Sequence, residues 1–211
     1  MTEIKLCGLT RANEIAWANE LQPDYVGFVF APKSRRYVYP QAAAELRSQL
    51  DPEIATVGVF VDADIVEIAE LVAAGTINVI QLHGSESEEY LTQLRAALAK
   101  LSVETPKIIQ AFGLASEHDV DNANQSSADI VLLDAPGGGT GEPFNWDLLA
   151  GIKREYFLAG GLTPENVGSA ITRLQPDGVD VSSGIETAGL KDQEKMADFV
   201  QAVRTKQADQ N

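Results

Sequence analysis

One cysteine, Cys7, stands in the whole chain, which excludes an internal disulfide and a cysteine-built zinc site. Histidine is almost as scarce. His83 and His118 are the only two, with no carboxylate–histidine cluster beside them, so a catalytic metal is not expected. Positive charge is short as well: 16 Lys and Arg face 31 Asp and Glu, a formal charge of −15. A nucleic-acid partner needs a basic footprint, so none is expected, and any phosphate must be gripped locally by backbone N–H groups and single cations. No apolar stretch approaches the roughly 18 residues that cross a bilayer, so no membrane partner is expected. The opening MTEIKLCGLT lacks the charged head and apolar middle of a secretion signal, and a cytoplasmic location follows. What remains is ordinary for a chain with a sizeable core: 211 residues, 45% hydrophobic and 22% charged.

Short apolar runs alternate with longer amphipathic ones. The runs at 4–6, 25–30, 55–61, 79–82, 107–112, 130–133, 156–159 and 178–181 read as strands. Most are continuous and rich in Val, Ile and Phe, the pattern of parallel strands buried on both faces. Helical periodicity fills 11–21, 40–50, 65–73, 86–98, 117–124, 146–153, 164–174 and 193–204. Thr163 before Pro164 reads as an N-cap followed by proline in the first turn, and Pro40 opens its helix in the same way. Strand and helix alternating eight times predict a closed α/β (β/α)8 TIM barrel over residues 1–205, with 206–211 as a polar tail. An open doubly wound sheet is the rival, but no G-x-G-x-x-G follows the first strand.

A barrel of this kind places its chemistry at the C-terminal ends of the strands. Two adjacent glycine turns stand there: Gly160 and Gly161 in LAGGLTPENV, and Ser182, Ser183 and Gly184 in VDVSSGIE. Loops after strands seven and eight commonly hold a phosphate, and backbone N–H groups at a helix start bind an anion without net positive charge. Cys7 ends the first strand; it is either a small buried hydrophobe or, if its surroundings favour the thiolate, a base. Asp134 ends a very apolar strand, as a loop cap or a general acid. Its following loop, APGGGTGEPFNW, is glycine-rich like a cover or ligand cradle. Arg36 lies in the basic stretch 33–36 over the mouth, where its guanidinium fork suits a carboxylate, with the phosphate loops expected on the far side. Gln81 and His83 end the fourth strand as candidate substrate contacts, a purely structural hydrogen bond by His83 being the alternative.

Taken together, KLCGLT from Lys5, YVGFVFAPKSRRYV from Tyr25, VGVFV from Val57, IQLHG from Ile80, LLDAPGGGTGEPFNW from Leu132, LAGGLTPENV from Leu158 and GVDVSSGIE from Gly178 resemble the phosphoribosylanthranilate isomerase family of tryptophan biosynthesis. The pieces run in family order along nearly the whole chain. The resemblance implies an Amadori rearrangement of a small phosphosugar–anthranilate substrate, without metal or organic cofactor, by a monomer or homodimer. It also implies Cys7 as general base, Asp134 as general acid and Arg36 as the anthranilate carboxylate contact. Gly160, Gly161, Ser182, Ser183 and Gly184 match the phosphate-gripping loops, and Asp180 matches a sugar-hydroxyl contact. Two departures stand out: Ala159 where the family often has Ser, and Asn145 where it often has Asp.

Three other readings differ at named features. The analogous histidine-pathway isomerase predicts aspartate where this chain has Cys7. A pentose-phosphate epimerase requires metal-binding histidines and acids that are not visible. A phosphosugar-binding barrel without catalysis has no need of Cys7, Asp134 and Arg36 together.

Overall fold

Each apolar run forms a strand, and the pairing is parallel throughout. The strands are β1 (Glu3–Cys7), β2 (Tyr25–Val29), β3 (Ala55–Phe60), β4 (Val79–Leu82), β5 (Lys107–Gly113), β6 (Ile130–Asp134), β7 (Tyr156–Leu158) and β8 (Gly178–Val181). The computed structural model describes residues 1–101, 103–135 and 146–209, and in it β8 pairs back onto β1 to close the barrel. The expected (β/α)8 architecture is therefore the one observed.

Side chains alternate across a strand, so each β-strand supplies two cores at once. Ile4, Leu6, Val26, Phe28, Ile80, Leu82, Val131 and Leu133 point outward and pack beneath the helices. Cys7, Val29, Val57, Val59, Val79, Ile109, Leu132, Phe157 and Ala159 fill the barrel interior as a separate cluster. This double burial is why the strands read as continuous apolar runs rather than as alternating ones.

The α-helices are α1 (Ala12–Leu21), α2 (Pro40–Arg47), α3 (Ile65–Ala73), α4 (Glu88–Leu98), α5 (Glu117–Gln125), α6 (Pro164–Leu174) and α7 (Gln193–Asp209). Proline occupies the first turn of α2 and of α6, the latter behind its N-cap Thr163, as the sequence predicts. Four helices differ at a boundary by two residues or more. The segment expected as a helix over 146–153 is a 3-10 turn over Trp146–Gly151. α2 stops at Arg47, and the chain leaves it through a tight turn in which Leu50 N–H donates to the Arg47 carbonyl. α4 starts at Glu88 rather than 86, because the Glu86 carboxylate accepts from the N–H groups of Asp62 and Gly84, both at 2.8 Å. At the other end, α7 continues to Asp209, past the expected helix end at 204 and into the expected polar tail; TKQAD contains neither Gly nor Pro to stop it. A short hairpin, β9 (Glu186–Thr187) with β10 (Leu190–Lys191), interrupts the path from β8 to α7 and has no counterpart in the sequence reading. Among the described residues no helix is long and apolar enough to cross a membrane.

Candidate active site

The alternation that fills the barrel also aims its polar residues. Cys7, Gln81, Asp134 and Asp180 each lie two residues beyond an interior position of their strand, so they share the inward face at the C-terminal end. One cavity at this mouth is lined by Cys7, Arg36, Gln81, His83, Asp134, Gly160, Gly161, Asp180, Ser182 and Ser183. The candidate residues from β1, β4, β6 and β8 and three loops thus meet in one place. Gly184 does not line it. A Cβ there would stand 1.9 Å from the Leu162 carbonyl oxygen, so Gly184 is where the β8 loop lies directly on the β7 loop.

Cys7 is buried, and its Sγ fills the space that a side chain on Gly27 would take, 2.8 Å from the ideal Cβ position there. Burial pushes the thiol above its ordinary value, the Lys5 charge pulls it down, and Asp180 adds to the rise; the net direction is up. Asp134, also buried, accepts a hydrogen bond at Oδ1 from the Ala135 N–H at 2.7 Å, and its Oδ2 faces His83 Nε2 at 3.6 Å. On its other side, His83 Nδ1 meets Gln81 Nε2 at 3.0 Å. Gln81 is almost wholly buried, and its Oε1 has no hydrogen-bond partner among the described residues. An orphaned buried carbonyl is costly, and this one belongs to a side chain lining the cavity.

The turn at Gly160 and Gly161 is pinned from below. Asn166 Oδ1 accepts from the Thr163 N–H, and Asn166 Nδ2 donates to the Gly161 carbonyl, both at 2.8 Å. The β8 loop is tied to β1, where Ser182 Oγ donates to the Cys7 carbonyl at 3.1 Å.

Arg36 sits in a loop held to β2 by the Val29–Tyr37 bridge and braced internally by the Arg36 N–H on Ser34 Oγ. Its fork is not open on all sides: Nε donates to Glu186 Oε1 at 2.6 Å and Nη2 to Oε2 at 3.1 Å. A side chain on Gly8 would meet Arg36 Cδ at 2.5 Å and Ser182 Oγ at 3.2 Å, so Arg36 and the β8 loop are neighbours. The expected separation across the mouth is corrected. Closure of the barrel sets β8 next to β1, and only β1 stands between that loop and the loop of Arg36.

Sequence reasoning assigned no role to Glu186, Lys191 or Lys5. Glu186 is buried and receives Arg36, Arg35 at 2.7 Å and Lys191 at 2.8 Å. Burial alone would push its carboxyl up, but bonds from Arg36 and Lys191 hold it below the ordinary glutamate value. Lys191, lowered by burial despite Glu186, also donates to the Ser182 carbonyl at 2.8 Å. Lys5 is wholly buried on Asp180 at 2.7 Å. Its signal was present, because a lysine at the second place before Cys7 in an apolar strand has to share the interior face. The Lys191 contact had none, since it depends on the unforeseen hairpin. Among the described residues no three His, Cys, Asp or Glu side chains gather as a metal would require. Most of the glycine-rich loop after Asp134, with Asn145, lies outside the described residues. A second, mainly apolar cavity adjoins the first, lined by Val29, Ala31, Val59, Val61 and Ala111 and sharing His83 and Asp134.

A family profile described as "N-(5'phosphoribosyl)anthranilate (PRA) isomerase" matches residues 4–202. The N-(5'-phosphoribosyl)anthranilate isomerase of Acetivibrio thermocellus is 39% identical over 211 residues, covering 97% of this chain and 96% of that protein. A phosphoribosyl anthranilate isomerase solved in complex with reduced 1-(o-carboxyphenylamino)-1-deoxyribulose 5-phosphate superposes with a TM-score of 0.83 at 33% identity, over 97% of this chain and 100% of that one. A monomer generated from the dimeric Thermotoga maritima enzyme superposes at 0.82, again 33% identical, with the same coverage.

Proposed function

The chain belongs to the N-(5'-phosphoribosyl)anthranilate isomerase family, an isomerase step of tryptophan biosynthesis, and from that premise we propose that its barrel mouth works by general acid–base catalysis with Asp134 as acid and Cys7 as base. The observation that carries this reading is that the two side chains, from strands β6 and β1, line one cavity whose rim is made by Arg36 and the β7 and β8 loops.

The chemistry fits those residue types. Asp134 gives its proton to the ribose ring oxygen. The ring C–O bond then breaks as the anilino nitrogen lone pair forms an imine at the first sugar carbon. That imine acidifies the hydrogen on the second carbon, and Cys7 removes it. The electron pair of the broken C–H bond becomes the double bond of an enolamine, which tautomerises to 1-(2-carboxyphenylamino)-1-deoxyribulose 5-phosphate. Acid and base from different strands bracket the sugar, while the ends of the substrate are fixed for positioning.

The phosphate is assigned to Gly160, Gly161, Ser182 and Ser183, at the start of α6 and the end of β8, with Gly184 holding the two loops together. The aromatic ring is assigned to the neighbouring apolar cavity, and its carboxylate to the guanidinium N–H groups of Arg36 that Glu186 leaves unused. Asp180 is assigned to a sugar hydroxyl. Gln81, through its unpartnered Oε1, is assigned to a substrate donor, with His83 orienting both Gln81 and Asp134. For the assembly, monomer and homodimer are both consistent with this site, which one chain builds alone.

Cys7→Ala should remove most turnover with little change in KM, because the thiol acts chiefly in the transition state. Asp134→Asn should do the same while erasing one limb of the pH–rate profile. Turnover of either variant within a few-fold of the parent, followed by the fluorescence lost as substrate is consumed, overturns that residue's assignment.

A further inference from the structure

Lys5 stands two residues before Cys7 on β1 and therefore points to the same interior face. The register sets it level with Asp180 on β8, and Nζ lies 2.7 Å from Asp180 Oδ1. It is wholly buried, and Cys7 is the next residue along the same interior face of β1. Cys7 and Asp180 line the mouth; Lys5 does not, lying beneath both. A buried ammonium is retained only where its partners offset the cost of leaving water. Here the partner is the Asp180 carboxylate, and the thiol assigned as base is the next group above the ammonium on the same face.

We propose that Lys5 is a positioning residue for Cys7: its ammonium, held under the floor of the mouth by Asp180, sets the proton affinity of the thiol. The relevance to turnover rests on the reading of Cys7 as base. A base must spend part of its time as thiolate, and apolar surroundings such as Val29, Val57 and Ala159 oppose that charge.

The charged and titratable groups near Cys7 come from several elements. Lys5 shares its strand, Asp180 faces it from β8 and Lys191 from β10. Arg36 overhangs from the β2 loop, with His83 and Asp134 across the cavity. Arg36 and Lys191 both bind Glu186, whereas Lys5 binds Asp180 directly beneath the thiol. Burial raises the thiol, Lys5 is the strongest opposing influence, and Asp180 acts with burial. The two members of the ion pair therefore shift Cys7 in opposite directions, so removing each one separately tests whether the pair acts on the thiol.

The test is the pH dependence of Cys7 alkylation by iodoacetamide in the ligand-free protein, read by mass as the adduct on the chain's only cysteine, which lines the open cavity. Asp180→Asn should move the midpoint down. Lys5→Met alone would leave Asp180 buried without its partner, so Lys5→Met is made on the Asp180→Asn background, where neither charge remains. That double variant should titrate at least about one pH unit above Asp180→Asn, a tenfold loss of thiolate at a fixed pH below the midpoint. Equal midpoints in the two folded variants, or a midpoint of Asp180→Asn at or above the parent's, overturn the proposal. The limb of the kcat/KM profile that belongs to the base should move with the thiol. A thiol midpoint that moves while that limb stays sustains the Lys5 assignment and overturns instead the reading of Cys7 as base.

Discussion

Gly184→Ala isolates the contact between the β7 and β8 loops, to which the phosphate is assigned above. The added methyl carbon would stand 1.9 Å from the Leu162 carbonyl oxygen and 2.9 Å from its carbon, closer than Cβ atoms approach anything in folded proteins. Both neighbours are backbone, so no side chain can swing aside, and the β8 loop must lift from the β7 loop by about 1 Å. Overpacking of this kind costs about 1–3 kcal/mol, and each kcal/mol lowers Tm by roughly 2–4 °C in a domain of this size, so the variant still folds at assay temperature. Function should suffer far more, because a displacement of about 1 Å in a positioning group costs about a hundredfold. Calorimetric titration with inorganic phosphate should show weaker binding by up to that factor, and kcat/KM should fall in parallel. Gly168→Ala is the matched control in α6, the helix that follows the β7 loop. Its methyl would meet only the flexible Lys206 side chain, at 3.4 Å, and a mid-helix Gly→Ala change should stabilise by roughly 0.5–1 kcal/mol without altering phosphate binding. A folded Gly184→Ala protein that binds phosphate within two- to threefold of the parent would refute the reasoning.

Arg36→Met should weaken a product analogue carrying the aromatic carboxylate by about ten- to a hundredfold, the worth of a charge-assisted hydrogen bond, and raise KM more than it lowers kcat. Inorganic phosphate should weaken by a smaller factor, because Arg36 and Ser182 meet across Gly8; equal losses for the two ligands would assign Arg36 to the phosphate. Glu186→Gln tests the carboxylate that holds Arg36 and Lys191. A folded-state carboxyl held below its ordinary value contributes stability that is present above about pH 4.5 and lost as pH falls through the depressed value. The variant should therefore be less stable near neutrality yet decline less steeply in acid, and Tm curves running parallel from neutral to acid pH would contradict this.

Which strands form, and on which ends the reactive residues stand, was legible without coordinates. The reason is burial on both faces: residues that pack inward against the barrel and outward against helices must all be apolar, and any polar residue in such a run marks a strand end or a paired interior group. Cys7 and Asp134 were found that way, Asp180 through the family resemblance, and Lys5 obeyed the same rule without being read. The starts of α2 and α6 were legible too, because proline and a threonine cap act locally.

What the chain alone did not determine is which distant residues meet. Glu86 reads as helical by its spacing, yet its carboxylate is taken by backbone N–H groups of two loops, one of them 24 residues away. The β8 loop and Arg36, separated by some 150 residues, become neighbours only because β8 closes on β1. That closure and the hairpin at Glu186–Lys191 bring one buried carboxylate to two arginines and a lysine. Local propensity and periodicity report the conformation of each segment, whereas such ion pairs follow from the shear and closure of the ring, which no single segment encodes.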